Sequence, residues 1–166
     1  MAEQTQKQQQ MQRVQGLMVF LGSLANGLEL LLGRGSDSIS FRAGRTVGLE
    51  WPTEHKEPDV LKALDAVYAE MKKIGIDWPF EPWKKDSDSA YVVEQDGEVS
   101  VKLAFRNCLV RCTLFRYGFP QEMTLCQTNH GLFCGLFEKI TGVKGARIDI
   151  IHSGENACLL KLVYHK

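Results

Sequence analysis

Hydrophobic positions along the chain fall into a helical period first and an alternating one later. Val14, Leu17, Met18, Leu21, Leu24, Ala25 and Leu28 recur at intervals of three and four, the spacing of one face of an amphipathic helix. Gly22 and Gly27 interrupt the run, which predicts either two helices or one bent one. Gly33-Arg34-Gly35 stops it. The polar, Gln-rich residues 1–15 read as a loose tail or as the solvated start of that helix. Ser36 or Asp37 can cap a short second helix over 38–47. A strand through Ile39 and Phe41 is the competing reading. Residues 57–75 carry the clearest helical stripe, Val60, Leu61, Leu64, Val67, Tyr68 and Met71. Pro58 is placed at its first position and Gly75 at its left-handed cap.

After this the period changes to two. Trp78 to Trp83 contains two prolines and is expected to be extended. Tyr91–Glu94 and Glu98–Phe105 flank Gln95-Asp96-Gly97, a strong hairpin signal. Val99, Val101, Leu103 and Phe105 share one face of the second strand. The stretch 107–117 is ambiguous. Thr124 and Gln127 have capping-box spacing for a helix that runs to Thr141 and ends at Gly142. Residues 148–152 and 158–164 are expected to pair through the five-residue loop 153–157. The predicted class is α+β, with N-terminal helices packed on an antiparallel sheet and a helix–hairpin at the C-terminal end. The organisation is one ligand-binding domain over 16–166 behind the tail.

Composition narrows the function. A chain of 166 residues fits one domain. Its 20 basic and 20 acidic residues cancel, which argues against a dedicated nucleic-acid binder. The balance is uneven, however. Residues 101–166 hold nine basic and four acidic side chains, while 52–100 hold six and twelve. Two complementary surfaces explain this, or else an anion-binding surface using Arg106, Arg111 and Arg116. The apolar run 16–32 contains Ser23, Asn26 and Glu29, and a carboxylate there disfavours a membrane span. The polar leader is long for a signal peptide, so the expected location is cytoplasmic. Five cysteines, an odd number in a chain of this size, point to reduced thiols that are packed or metal-bound.

Two constellations carry candidate chemistry. Cys126, His130 and Cys134 are four apart, so each lies about 40° round the helix from the last. They share a face with Phe133 and Phe137. In the terminal hairpin, simple alternation sets His152 opposite Cys158. Cys126, His152 and Cys158, with His130 as a fourth, are candidate ligands for zinc. The alternative is a packed seam of buried thiols and a core histidine. Phe115, Phe133 and Phe137 are expected to line a pocket between helix 124–141 and the sheet. Gly131 and Gly135 would make room beside them. No nucleotide-cofactor fingerprint and no catalytic triad is present in the pattern.

The segment from Asn107-Cys108 to Tyr164 resembles the 4-vinyl reductase, or hydrocarbon-binding, domain family. The resemblance rests on Asn107-Cys108 after a strand, Cys126…Gly131…Gly135-Leu-Phe before Gly142, and Gly154-Glu155…Cys158 in the hairpin. Leu21-Gly-Ser-Leu-Ala-Asn-Gly and Arg42-Ala-Gly-Arg also look like that family's N-terminal helices. It implies a ligand-binding fold shared with nitric-oxide-signalling domains and Golgi-transport subunits, a small hydrophobic ligand, and a structural zinc. Cys126 and Cys158 match the family's ligand cysteines. Asp149-Ile-Ile-His152 departs from its Glu-x-x-Cys pattern, which leaves two alternatives: His152 as the substitute ligand, or a site that has lost its metal. The implied role is a sensor or carrier acting with a downstream partner protein. Vinyl reduction in tetrapyrrole metabolism and a non-catalytic assembly role are the alternatives. Three consecutive leucines, Leu30 to Leu32, add an expectation of homodimerisation through the N-terminal helices.

Overall fold

The computed structural model describes all residues except Met1, Arg34, Asn156 and Lys166, with the side chains of residues 2–5 and Leu109 also left undescribed. Ten elements follow in order: α1 (Ala2–Leu32), α2 (Gly35–Leu49), α3 (Val60–Lys73), β1 (Phe80–Pro82), β2 (Val92–Gln95), β3 (Glu98–Arg106), α4 (Leu109–Tyr117), α5 (Thr124–Thr141), β4 (Lys144–Ser153) and β5 (Ala157–His165). The fold is α+β. One antiparallel sheet has the order β1-β3-β5-β4, and β2 continues β1's edge along the other half of β3. Segment 38–47 is therefore helical, and the polar leader belongs to one long α1 rather than to a loose tail.

The strands follow from their alternation. Val99, Val101, Leu103 and Phe105 of β3 face the helices, opposite Tyr164, Leu162, Leu160 and Cys158 of β5. Asp96 and Gly97 both have positive φ, the pair of left-handed residues that a two-residue hairpin turn requires.

Helix α5 is the centre of the layer above the sheet. Phe133, Cys134, Leu136, Phe137 and Ile140 are fully buried within it. Its other side meets α2 at unusually close range. A Cβ on Gly44 would fall 2.9 Å from Leu132 N, and on Gly48 2.6 Å from Leu136 N. In return, one on Gly131 would fall 2.8 Å from Arg45 N, and on Gly135 3.0 Å from Leu49 N. The order of these contacts shows that α2 and α5 run parallel. A Gly-x-x-x-Gly pair on each helix lets the backbones touch. Arg45 then clamps the crossing, donating from Nε (3.0 Å) and Nη2 (2.5 Å) to the two carboxylate oxygens of buried Glu138. The Ala146 N–H donates to the same carboxylate at 2.8 Å, tying β4 into the crossing.

Three local expectations need correction. Helix α3 begins at Val60, and Asp59, not Pro58, starts it by accepting from Lys62 N at 3.0 Å. The Thr124/Gln127 capping box does not form, because Met123 holds the cap position and the Gln127 amide donates to Glu122 O. The Thr124 N–H instead donates to Glu29 of α1 at 3.0 Å. A tertiary carboxylate has displaced the local cap, and it also complements the positive end of α5. The third lies in β4, whose register shifts by one residue between Ile150 and His152.

α1 rests on the domain through Gly22, against the Phe119 ring, together with Ala25 and Glu29. Val14, Leu17, Leu21, Leu24, Leu28 and Leu31 lie on its exposed side. Their spacing alternates between three and four, a heptad seam without a partner among the described residues. By length and composition alone, the helix over Gln6–Leu32 also contains an 18-residue stretch apolar enough to cross a membrane.

The helix crossing makes a sharp prediction. Gly131→Ala or Gly44→Ala should lower unfolding stability by about 3 kcal/mol or more, because backbone must separate from backbone. Gly16→Ala, where nothing lies within 4 Å, should instead add up to about 1 kcal/mol from helix propensity. Urea denaturation of the three variants measures both signs.

Candidate functional site

A small cavity lies where α4, α5 and the β4–β5 hairpin meet. Trp78, Val110, Ile150 and Leu160 supply apolar wall, and Cys108, Cys126 and Cys158 bring three thiols to it. Arg111, Asn129 and His130 are its polar members, with Gln121, Glu122 and Ser153 completing the lining. The space between its atoms is about 400 Å³, including the part open to solvent. Its enclosed part has room for about one or two water molecules.

Local sequence explains how each side chain arrives. Trp78 leaves the Gly75 turn just before β1 and lies over the Phe105 ring at 4.2 Å between centroids. His130 stacks nearly parallel to it, at 6.2 Å and 13°. Cys108 precedes α4 at its cap position, and Arg111 lies three residues further on. Cys158 sits on the helix-facing side of β5, paired with Phe105 of β3.

Four polar atoms of this lining are buried without a hydrogen-bond partner. Arg111 is 3% exposed and His130 5%. Arg111 Nε and Nη1, His130 Nδ1 and Trp78 Nε1 have no hydrogen-bond partner. Such groups normally find one. Burial drives the imidazole of His130 down to about 4, so it is neutral near pH 7. Burial pushes the Cys126 thiol up to about 12 and that of Cys108 above its ordinary value. Both cysteines are thiols and not thiolates.

The sequence-predicted residues divide. Cys126, His130 and Cys158 reach the cavity wall, but His152 does not. β4 carries a bulge in which Ile151 is the extra residue, so that Ile150 pairs with Leu160 and His152 with Leu159. Each step past a bulge reverses the alternation. His152 therefore turns to the outer, exposed face, and Ser153 takes the place opposite Cys158. The four-residue ligand set does not converge, and no group of three or more His, Cys, Asp or Glu among the described residues is arranged to hold a metal. Cys134 is sealed in the core. As placed, these residues do not fit a zinc centre.

The predicted pocket lining is also redistributed. Phe115 is 48% exposed on α4 and lines a shallow surface groove with Phe119 and Pro120. Phe133 lies one layer behind the cavity, edge-on to Trp78 at 5.9 Å. Phe137 packs on Tyr164 at 5.4 Å. Gly131 and Gly135 face α2 rather than a ligand. Of the three arginines singled out for an anion surface, Arg106 pairs with Glu81 at 2.8 Å and Arg116 is exposed. Arg111 alone is buried against the cavity. Trp78 could not be told from a core aromatic by pattern, since its orphan N–H is a tertiary fact.

No protein-family model matches the chain, and no curated protein matches it. Among solved structures it is similar to the crystal structure of the phenol-responsive sensory domain of the transcription activator PoxR with phenol. The TM-score is 0.60 at 14% identity, over 87% of this chain and 73% of that one. The likeness shows a shared fold.

The neutral His130 carries a pH prediction. Its pKa is depressed in the folded state, so the unfolded chain binds the extra proton. Stability is full above about pH 6.5 and falls as pH drops toward 4. A shift of this size corresponds to about 3 kcal/mol. His130→Phe should flatten that part of the curve of unfolding free energy between pH 6.5 and 4, as measured by chemical denaturation at each pH.

Proposed function

We propose that this chain is a small-molecule-binding domain, a sensor or carrier, whose ligand enters the cavity between α4, α5 and the terminal hairpin. The observation that carries this reading is the set of unpartnered buried polar atoms on an otherwise apolar and aromatic wall. A ligand pocket is mostly apolar with a few convergent polar groups that orient what binds. Trp78 and His130 give two parallel ring faces, and the Trp78 N–H is a ready donor to a ligand oxygen. The fold likeness to a phenol-responsive sensory domain supports the same class, with a small aromatic molecule as ligand. The resemblance to the hydrocarbon-binding family is in keeping with it.

The cavity as it stands is smaller than a phenol. Binding therefore involves displacement of the rim residues Gln121 and Glu122, on the connection between α4 and α5. Glu122 has positive φ and is exposed, and its carboxylate accepts from the Ser153 hydroxyl. That contact ties the connection to the hairpin.

Calorimetric titration of the reduced protein with phenol tests the reading. Saturable one-to-one binding with Kd below about 1 mM is expected, weakened at least tenfold in Trp78→Ala. Heats no larger than dilution, or binding indifferent to Trp78, would remove the cavity from consideration.

A homodimer through α1 belongs to this proposal. The seam Val14, Leu17, Leu21, Leu24, Leu28 and Leu31 has the spacing that a second α1 would fill. It lies away from the face that docks on the domain. Sedimentation at micromolar concentration should give about twice 18.7 kDa, and Leu21→Lys with Leu24→Glu should return the monomer. A wild-type monomer overturns this part alone.

A further inference from the structure

We infer that the cavity ligand is a monocarboxylate, held by Arg111 with the Trp78 N–H beside it. The inference rests on the proposal that this cavity is the ligand site, and it names the ligand's charge. A guanidinium stays protonated wherever a protein puts it. Arg111 is 3% exposed, lines the cavity, and leaves Nε and Nη1 without a partner. No ion pair to Arg111 is present among the described residues, although Arg45, Arg106 and Arg147 each have a carboxylate. An uncompensated buried charge costs several kcal/mol.

The neighbours do not supply the missing anion. Cys108 is a protonated thiol next to the guanidinium, Cys126 is one as well, and His130 is neutral. Glu122 is on the rim, exposed, and engaged with Ser153. It makes no salt bridge to Arg111.

The remaining orphan atoms agree in kind. Trp78 Nε1 can only donate. Arg111 Nε and Nη1 can only donate. Neutral His130 donates from Nδ1 in one of its tautomers. A phenol hydroxyl satisfies one or two of these groups and leaves the charge unmatched. A carboxylate has two oxygens with about four acceptor sites and one negative charge. Its planar fork matches guanidinium geometry. With room for only one or two waters, the cavity suits a compact head group, and the rings of Trp78 and His130 suit an apolar body behind it.

The experiment follows the indole N–H signal of Trp78 by ¹⁵N NMR in the full chain, assigned by its loss in Trp78→Phe. Acetate, acetamide, benzoate, benzamide, phenol and sodium chloride are titrated at constant ionic strength. Both acids should shift the signal at concentrations at least tenfold below their amides. Arg111→Met should abolish that preference, and Arg111→Lys should keep part of it. Should acetate act while benzoate and phenol do not, the carboxylate inference stands and the aromatic-ligand reading fails. Should phenol or the amides act as strongly as the acids, the inference fails and the aromatic-ligand reading stands. A shift by chloride equal to that by acetate overturns the carboxylate assignment. Silence from every probe at 50 mM, roughly the weakest affinity of interest here, overturns both.

Discussion

Everything else in this fold depends on how closely α2 can lie on α5. Four glycines, Gly44 and Gly48 on one helix and Gly131 and Gly135 on the other, remove every side chain from the line of contact. Backbone then meets backbone, and carbonyl oxygens of each helix approach the Cα groups of the other. Cα–H···O contacts of that kind stabilise close helix pairs only modestly. Their geometry, however, leaves no latitude. The Arg45–Glu138 pair locks the crossing in rotation, because a bidentate fork fixes both position and angle. Glu138 is buried, and its second function, accepting from Ala146 N–H, transmits the helix position to the start of β4. An apolar pair of the same volume would pack as well and would orient neither α2 nor β4.

That crossing also decides which side of α5 is left for chemistry. With its glycine face against α2 and its Phe133–Phe137 face on the sheet, α5 has little free surface. Its first turns lie alongside Phe41 and Gly44 of α2 and turn Cys126, Asn129 and His130 toward the cavity beside the hairpin. The cavity is therefore a consequence of packing at one end of a saturated helix. It is lined by what the adjoining segments bring: Trp78 from before β1, Cys108 and Arg111 from α4, and Cys158 from β5. The bulge at Ile151 completes it. Without that extra residue His152 would face inward and fill the volume beside Cys158, where the smaller Ser153 now stands.

The sequence carried the sheet and the helices legibly, because their signals are local. Alternation in β3, the Asp96-Gly97 turn and the stripe of α3 each depend on neighbours within a few residues. The site was less legible for the same reason. Alternation through β4 predicts His152 facing Cys158, and one bulged residue reverses it without a local signature. Gly131 and Gly135 looked like space for a ligand. Their true use shows only beside Gly44 and Gly48, eighty residues or more away in sequence. Thr124 and Gln127 had capping-box spacing, yet Glu29, ninety-five positions earlier, provides the acceptor. Helical spacing linked Cys126 to His130, strand alternation linked His152 to Cys158, and the family resemblance matched Cys126 and Cys158; of these four candidate ligands Cys126, His130 and Cys158 do meet at one cavity. Arg111 stood out only as part of a basic C-terminal third. Its burial is a tertiary fact, and it turns a surface residue into the charge that the cavity must answer.

The polar atoms left unpaired in that cavity are costly to the folded state. A buried donor without an acceptor costs about 1–3 kcal/mol, and a charged one more. Residues 76–83, α4 and the hairpin could each have supplied an apolar side chain at these positions and avoided the cost. The other buried charged residue, Glu138, is by contrast fully engaged, with three donors. Among the described residues, four of the six buried side-chain atoms without a partner lie at this one place, beside the only described cluster of three thiols and on a wall of stacked rings; the other two are Asp37 Oδ1 and Thr124 Oγ1. A fold under selection for stability alone would have little use for it. The same deficit becomes binding energy when a molecule with acceptors enters, since desolvation of the protein groups has already been met in folding. In the proposed ligand site, the cost of burying Arg111, Trp78 and His130 is thus what the acceptors of an occupant would relieve.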